Sequence, residues 1–229
     1  MDDALLSLLG NSRDGQLKLL DLGASDGIST HRLVERIAQE RNQKAEAIAL
    51  DLYVELAEFT KWPFREYRFN DGYQVLVCVG PFGFQLSPIA VARRPLERIL
   101  GRWVSKLQFV TSKMTKSRAW SLLNPLIQDS SVKLVYGSVF EVTPEYVGAF
   151  DIVRASNVLN LGYFSEQMIQ VGLQATQKYV KDGGYLVISR NLKSPTGEIE
   201  HGTIWRRAGS RFDVVAVVGD GSEISNFVK

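Results

Sequence analysis

The sequence predicts an α/β fold, a mostly parallel β-sheet with helices packed against it, interrupted once by inserted material. Three observations predict it. An apolar run (Leu17, Leu19, Leu20, Leu22) ends in a turn bracketed by Gly23 and Gly27 and passes into an amphipathic stretch from Ile28 to about Gln39. Further strand-like segments follow at residues 45–50, 132–136, 150–155 and 185–189, with a helical pattern at 165–180 before the last of them. Two longer segments, 200–207 and 211–218, are joined by Ala208, Gly209 and Ser210 and read as a terminal antiparallel pair.

The opening strand, turn and helix form the first unit of a nucleotide-binding α/β fold. Gly23 and Gly27 remove side chains where a ligand would approach the backbone, and the helix start offers unbonded N–H groups. The dinucleotide fingerprint needs glycine at the first, third and sixth loop positions, yet Ser25 and Ile28 occupy the third and sixth. The Gly-Lys-Ser/Thr ending of a phosphate-cradling loop is also missing. The loop carries Asp21 and Asp26, which repel a pyrophosphate and suit a cation. The second strand, Ala45 to Leu50, ends in Asp51, 24 residues beyond Gly27. A carboxylate there can accept two hydrogen bonds from a vicinal diol; its structural alternative is a solvated acid that starts a turn.

From Thr60 the pattern changes. Aromatic and basic residues alternate through Lys61, Trp62, Phe64, Arg65, Tyr67, Arg68 and Phe69. The turn signal Asn70-Asp71-Gly72 and the strand-like run Tyr73 to Val79 predict a hairpin over about 64–80. Gly80 to Gly83 breaks it, Pro95 opens a basic helix to about Phe109, and a second helix is expected over Arg118 to Gln128. Residues 61–117 therefore read as an insertion or lid within one domain of residues 1–229. Residues 60–120 hold 11 Lys and Arg against 3 Asp and Glu, while the flanking segments balance at −5 and −1. Arg93, Arg94, Arg98 and Arg102, with Lys61, Arg65, Arg68, Trp62, Tyr67 and Trp103, could hold RNA by charge and stacking. They could equally meet an acidic protein or an anionic membrane surface, or form a solvated helix face.

The core resumes with the third strand, Val132 to Tyr136, followed by Gly137, Ser138 and Val139. A helical turn at Pro144 to Val147 precedes the fourth strand, Phe150 to Ala155. The helix over Ser165 to Val180 ends at Lys181-Asp182-Gly183-Gly184, and Tyr185 to Ser189 is the fifth strand.

The run Asp21-x-Gly23-x-Ser25-x-Gly27 resembles motif I of the class I S-adenosylmethionine (SAM) dependent methyltransferases, with Ser25 in place of the usual middle glycine. Asp151 to Asn160 is similar to their motif IV and its loop, and Lys181 to Leu186 to their later Gly-Gly signature. The loop Ser156-Asn157-Val158-Leu159, followed by Tyr163 and Phe164, also resembles that of chemotaxis-receptor methyltransferases. The resemblance covers about residues 17–60 and 131–191. It implies a Rossmann-like class I methyltransferase fold: a seven-stranded, mostly parallel sheet with an antiparallel C-terminal strand and an inserted hairpin and helix segment. It also implies SAM as cofactor, held by Asp21, Gly23, Ala24, Ser25, Gly27, Asp51, Ser138, Val139 and Asn157. The expected activity is methyl transfer to a small molecule or a protein side chain; the alternatives are an RNA methyltransferase using the basic insertion and a non-catalytic binding protein.

In-line methyl transfer can draw much of its rate from holding the nucleophile against the methyl group, so no conspicuous catalytic residue is required. Asn157 is the positional candidate, because the loop after the fourth strand faces the methyl group in this family; a turn-capping role is its alternative. Tyr163 could orient an acceptor or pack as a core aromatic. His31 reads as structural, and His201 as a strand residue near the rim or simply exposed. Ser156 to Leu159 lacks the Pro-Pro-Tyr signature of DNA amino-methylating enzymes, and Cys78 follows Val77 rather than the proline of cytosine-C5 enzymes.

At 229 residues, 45% hydrophobic and 23% charged, the composition is that of a soluble globular domain. Asp2 and Asp3 oppose a secretory signal, and no run reaches the 18 apolar residues of a membrane span. One cysteine precludes an internal disulfide, and two histidines without a clustered third ligand offer no metal site. A cytoplasmic protein is expected.

Overall fold

Burial of alternate or consecutive apolar side chains decides where each strand lies. In a computed structural model, residues 1–10, 15–69, 74–85, 115–127, 131–195 and 197–228 are described. They fall into two compact units, residues 1–52 with 123–229, and residues 53–122. The elements in chain order are α1 (Asp2–Leu8), β1 (Leu17–Leu22), α2 (Ile28–Arg41), β2 (Ala45–Asp51), β3 (Glu55–Lys61), β4 (Phe64–Phe69), β5 (Gln74–Val79) and β6 (Phe82–Gln85). They continue with β7 (Thr115–Ser121), β8 (Val132–Tyr136), β9 (Phe150–Ser156), α3 (Glu166–Tyr179), β10 (Val180–Ser194), β11 (Gly197–Ala208) and β12 (Arg211–Val218). Short 3-10 turns lie at Pro125–Ile127, Pro144–Tyr146 and Ser225–Phe227.

The first unit holds a seven-stranded sheet in the order β12-β11-β10-β9-β1-β2-β8. Its pairs are parallel from β8 through β10, and β11 is antiparallel to both neighbours. This is the expected mostly parallel α/β sheet with its direction reversed near the C-terminus. β1 is central, so Leu17, Leu19, Leu20 and Leu22 are all buried. Leu17 and Leu19 join one core with Leu33, Val34 and Ile37 of α2 and Leu5, Leu6 and Leu9 of the N-terminal segment. Leu20 and Leu22 join the opposite core with Ile169, Leu173 and Tyr179 of α3 and Trp205 of β11. Burying each such side chain contributes about 1.5–3 kcal/mol.

The helices follow from spacing. α2 buries Thr30, Leu33, Val34 and Ile37, one face of a 3.6-residue period. α3 buries Ile169, Gly172, Leu173, Thr176 and Tyr179, and Ser165 caps it by accepting the Met168 N–H. The Tyr179 hydroxyl donates to the Glu141 carbonyl at 2.7 Å and accepts the Thr143 N–H at 2.9 Å, tying the loop between β8 and β9 to α3.

Two local expectations change, and one further helix appears. Residues 115–121 form β7 where a helix was expected from Arg118, because the edge of β3 offers a partner from Glu55 through Thr60 and pairing overrides helical propensity. Pro125 then confines the helical part to one 3-10 turn. Residues 181–184 continue directly into β10 as a bulge, since Val180 pairs with Phe150 and Tyr185 with Ile152. Gly184 is required there: a Cβ would stand 2.9 Å from the Asp151 carbonyl oxygen. α1 carries no sequence pattern longer than two turns, and its helix is fixed by burial of Leu5 and Leu6.

The second unit holds a five-stranded antiparallel sheet in the order β6-β5-β4-β3-β7. The expected hairpin over 64–80 is its β4–β5 pair, with Phe64 opposite Val79. β3 is additional. The basic helix opened by Pro95, with Arg93, Arg94, Arg98, Arg102 and Trp103, lies outside the described residues. Cys78, which its apolar strand context reads as a buried residue, is only half-buried.

Candidate functional site

The chain leaves β1 toward β2 on one side, and β9 arrives on the other side of β1, so the carboxyl end of β1 is a topological switch point where ligands of open α/β sheets bind. The turn after β1 is tight and backbone-bonded. Gly23 N–H donates to the Leu50 carbonyl at 2.8 Å, and Gly27 N–H to the Ala24 carbonyl at 3.0 Å. Gly23, Ser25 and Gly27 have φ of 69°, 57° and 79°, in the left-handed region. Gly23 is doubly constrained, because a Cβ would lie 2.7 Å from Cβ of Val158 in the loop after β9. Asp51, at the end of β2, accepts the Ser25 N–H through Oδ2 at 2.8 Å and so fixes the middle of the turn.

Above the turn is a cavity of about 570 Å³ lined by Gly23, Ala24, Ser25, Asp26 and Ser29, by Ser156 and Asn157 after β9, and by Asn191 and Glu200 on the β10–β11 ribbon. Asp2, Asp3, Arg36 and Arg154 complete its wall together with Met1. Four carboxylates thus face two guanidinium groups and the Met1 amino group, and all three cations are already committed. The Met1 amino group donates to Glu200 Oε2 at 2.7 Å. Arg36 pairs with Asp3 at 2.6 Å and Glu40 at 2.7 Å. Arg154, only 4% exposed, pairs with Asp21, 2% exposed, through Nε at 3.0 Å and Nη2 at 2.5 Å. Burial pulls the Arg154 pKa down, but attraction and hydrogen bonding from Asp21, with Asp2 and Glu200 nearby, outweigh it and raise the pKa above its ordinary value. A cavity walled in this way favours a cationic ligand over a phosphate.

The expected site residues divide three ways. Gly23, Ala24, Ser25 and Asn157 meet at the cavity, with Asp51 bonded to Ser25 and Gly27 capping α2. Asp21 lies beneath it, its carboxylate taken by Arg154 and by the Thr30 hydroxyl at 2.5 Å. Ser138, Val139 and Tyr163 do not line it. Ser138 Oγ accepts the Phe140 N–H at 3.2 Å, Val139 is buried in the α3-side core, and Tyr163 is 69% exposed. Asn157, at φ 60°, accepts the Asn191 N–H through Oδ1 at 2.7 Å, which locks the loop after β9 to β10 and gives the residue a structural role as well as its place at the rim.

Sequence reasoning missed Arg154, Asn191, Glu200 and the α1 acids. The signal for Arg154 was present: it is a lone cation in an apolar strand, and Asp21 is a lone anion in another. They are register partners across β1 and β9. Glu200 takes the Ser189 hydroxyl on Oε1 at 3.0 Å, and Ser189 lies 3.1 Å from the Ser156 hydroxyl, a polar chain across three strands. His31 is 3.3 Å from Glu35 on α2, and His201 Nδ1 accepts the Asp220 N–H at 2.9 Å; neither lines the cavity. Among the described residues, no group of His, Cys, Asp and Glu is arranged to hold a metal, and no helix is long and apolar enough to cross a membrane.

No family model and no curated protein matches the sequence. Solved structures do align with it. A putative sarcosine dimethylglycine methyltransferase from Galdieria sulphuraria is 13% identical, with a TM-score of 0.38 over 83% of this chain and 43% of that one. A putative SAM-dependent methyltransferase from Methanococcus maripaludis is 10% identical, with a TM-score of 0.39 over 82% of this chain and 53% of that one. A SAM-dependent methyltransferase from Mesorhizobium loti is 14% identical, with a TM-score of 0.37 over 88% of this chain and 66% of that one. The chain therefore spans less than two thirds of each of these proteins. Its α/β class rests on its own sheet order.

Proposed function

We propose that the chain is a SAM-dependent methyltransferase whose cofactor site is the cavity over the Gly23–Gly27 turn. The observation that carries the proposal is the conjunction of that left-handed turn at the switch point, Asp51 bonded to its centre, and a carboxylate-rich wall. SAM presents a sulfonium and an ammonium with no phosphate, which fits such a wall, and when bound it supplies an electrophilic methyl group. In this reading the Gly23–Ser25 backbone meets the amino-acid portion, Asp51 stands by the ribose, and Asp26 faces the cationic groups, while Glu200 is held by the Met1 amino group and the Ser189 hydroxyl. The buried Asp21–Arg154 pair is a support: it holds the end of β1 against β9, which sets the separation between the turn and Asn157. Asn157 is the residue we assign to the acceptor side, with its carbonyl engaged by Asn191 and its amide NH₂ left to orient a ligand. Residues 61–117 remain an insertion in this reading, within the compact unit 53–122.

Calorimetric titration of SAM and S-adenosylhomocysteine into the purified chain tests the assignment. Saturable binding of both, weakened about tenfold or more in Asp51→Ala, is expected for loss of a carboxylate partner. Absence of binding to either ligand would remove the proposal.

A further inference from the structure

The unit formed by residues 53–122 contains 11 Lys and Arg against 5 Asp and Glu, a net +6 in a chain whose total is +2; the remaining residues are therefore at −4. Its sheet also has two unlike faces. One carries Ala57 and Glu66, both buried, with Arg68 paired to Glu66 at 2.6 Å and set over the Phe59 ring at 4.7 Å. Strand register places Leu56, Glu58, Thr60, Arg65, Tyr67, Phe69, Leu76, Cys78, Arg118 and Trp120 on the other face. None of these ten is buried.

That second face is organised by rings and guanidinium groups. Tyr67 of β4 and Trp120 of β7 reach across β3 and stack with centroids 6.0 Å apart and planes at 26°. The Arg118 guanidinium lies 5.1 Å from the Trp120 ring centroid. At the end of the same face Phe69 stacks on Tyr53 at 4.2 Å. Arg65 is exposed beside Tyr67, and Trp62, at the β3–β4 turn next to Lys61, is 93% exposed. Glu58 is the single acid on this face among the described residues. Half-exposed aromatic rings on a sheet, interleaved with cations in a strongly positive unit, match what single-stranded nucleic acid offers: flat bases that stack and a phosphate backbone that needs neutralising.

We propose that this face of the 53–122 unit binds single-stranded RNA, with Tyr67 and Trp120 as the stacking platform and Arg65 and Arg118 as phosphate contacts. The inference uses residues 53–122 only, so a failed SAM titration leaves it standing and its own failure leaves the cofactor proposal standing. The test is fluorescence anisotropy of a labelled oligouridylate about 12 nucleotides long, titrated with the full chain over a range of salt. Binding should weaken steeply with salt. Tyr67→Ala with Trp120→Ala should lose about tenfold or more in affinity at unchanged salt slope, and Trp120→Phe should retain it. Arg65→Gln with Arg118→Gln should reduce the magnitude of the log–log salt slope by about 1.4. Circular dichroism of each variant separates lost contacts from lost folding. Wild-type affinity in both double variants, tighter binding to a duplex of equal length, or binding to phosphatidylserine vesicles in place of RNA would each overturn the proposal.

Discussion

Two buried charges govern the site at the residue scale. Asp21 and Arg154 are each almost wholly enclosed, and removing one strands the other in the core, a change that costs about 3–5 kcal/mol. Arg154→Met should therefore lower the urea midpoint substantially, whereas Asp21→Leu combined with Arg154→Met should recover most of the loss. A double variant no more stable than the single one would show that the pair is not the reason. A second prediction concerns pH. Hydrogen bonding to Arg36 holds the exposed Asp3 carboxyl below its ordinary value of 3.8, so their contact stabilises the fold above that pH and is lost as pH falls through the lowered value. Asp3→Asn should accordingly shift thermal unfolding downward at pH 7 and leave it unchanged near pH 2; an equal shift at both would contradict this.

Close approach between elements decides what can be changed. The turn after β1 and the loop after β9 touch at Gly23 and Val158, so Gly23→Ala meets both a positive φ and a clash. It should destabilise by about 1–3 kcal/mol, and Val158→Ala should return part of that, as read by denaturant unfolding. An acidic substitution at Gly23 is for the same reason a poor probe of ligand binding, whereas Asp51→Ala introduces no clash. Asp51→Asn, which keeps an oxygen to accept the Ser25 N–H, separates the carboxylate charge from the turn it holds. At this scale the sequence was legible where periodicity and turn chemistry agreed. β1, α2, β2, β9 and α3 each bury one periodic face or a continuous apolar run, and all were readable, as was β8, which buries only Val132 but pairs along β2. β7 was not, because Lys116-Ser117-Arg118-Ala119 has no apolar alternation and becomes a strand only by pairing with β3. Nor was α1, whose helix depends on a core assembled from residues far along the chain. Likewise Gly23, Ser25 and Asp51 announced the site locally, whereas Glu200 and Asn191 reach it only because the β10–β11 ribbon continues five residue pairs beyond the end of β9.

For the whole molecule, the chain divides its charge. The unit 53–122 is at +6, the remainder at −4, and the carboxylate-rich cavity belongs to the acidic unit. Under the two proposals above, the acidic unit takes the small cationic donor and the basic unit the polyanion. High salt should consequently weaken any polyanion binding far more than cofactor binding, which engages a cavity rather than an open surface; equal salt sensitivity of the two would contradict the division. The measurement that tests the central claim most directly is calorimetric titration of SAM into the full chain and into Asp51→Ala. Saturable binding to the first, weakened about tenfold or more in the second with folding intact, is the predicted result. Equal affinity in both, or no heat with either, would place the cofactor elsewhere or nowhere in this fold.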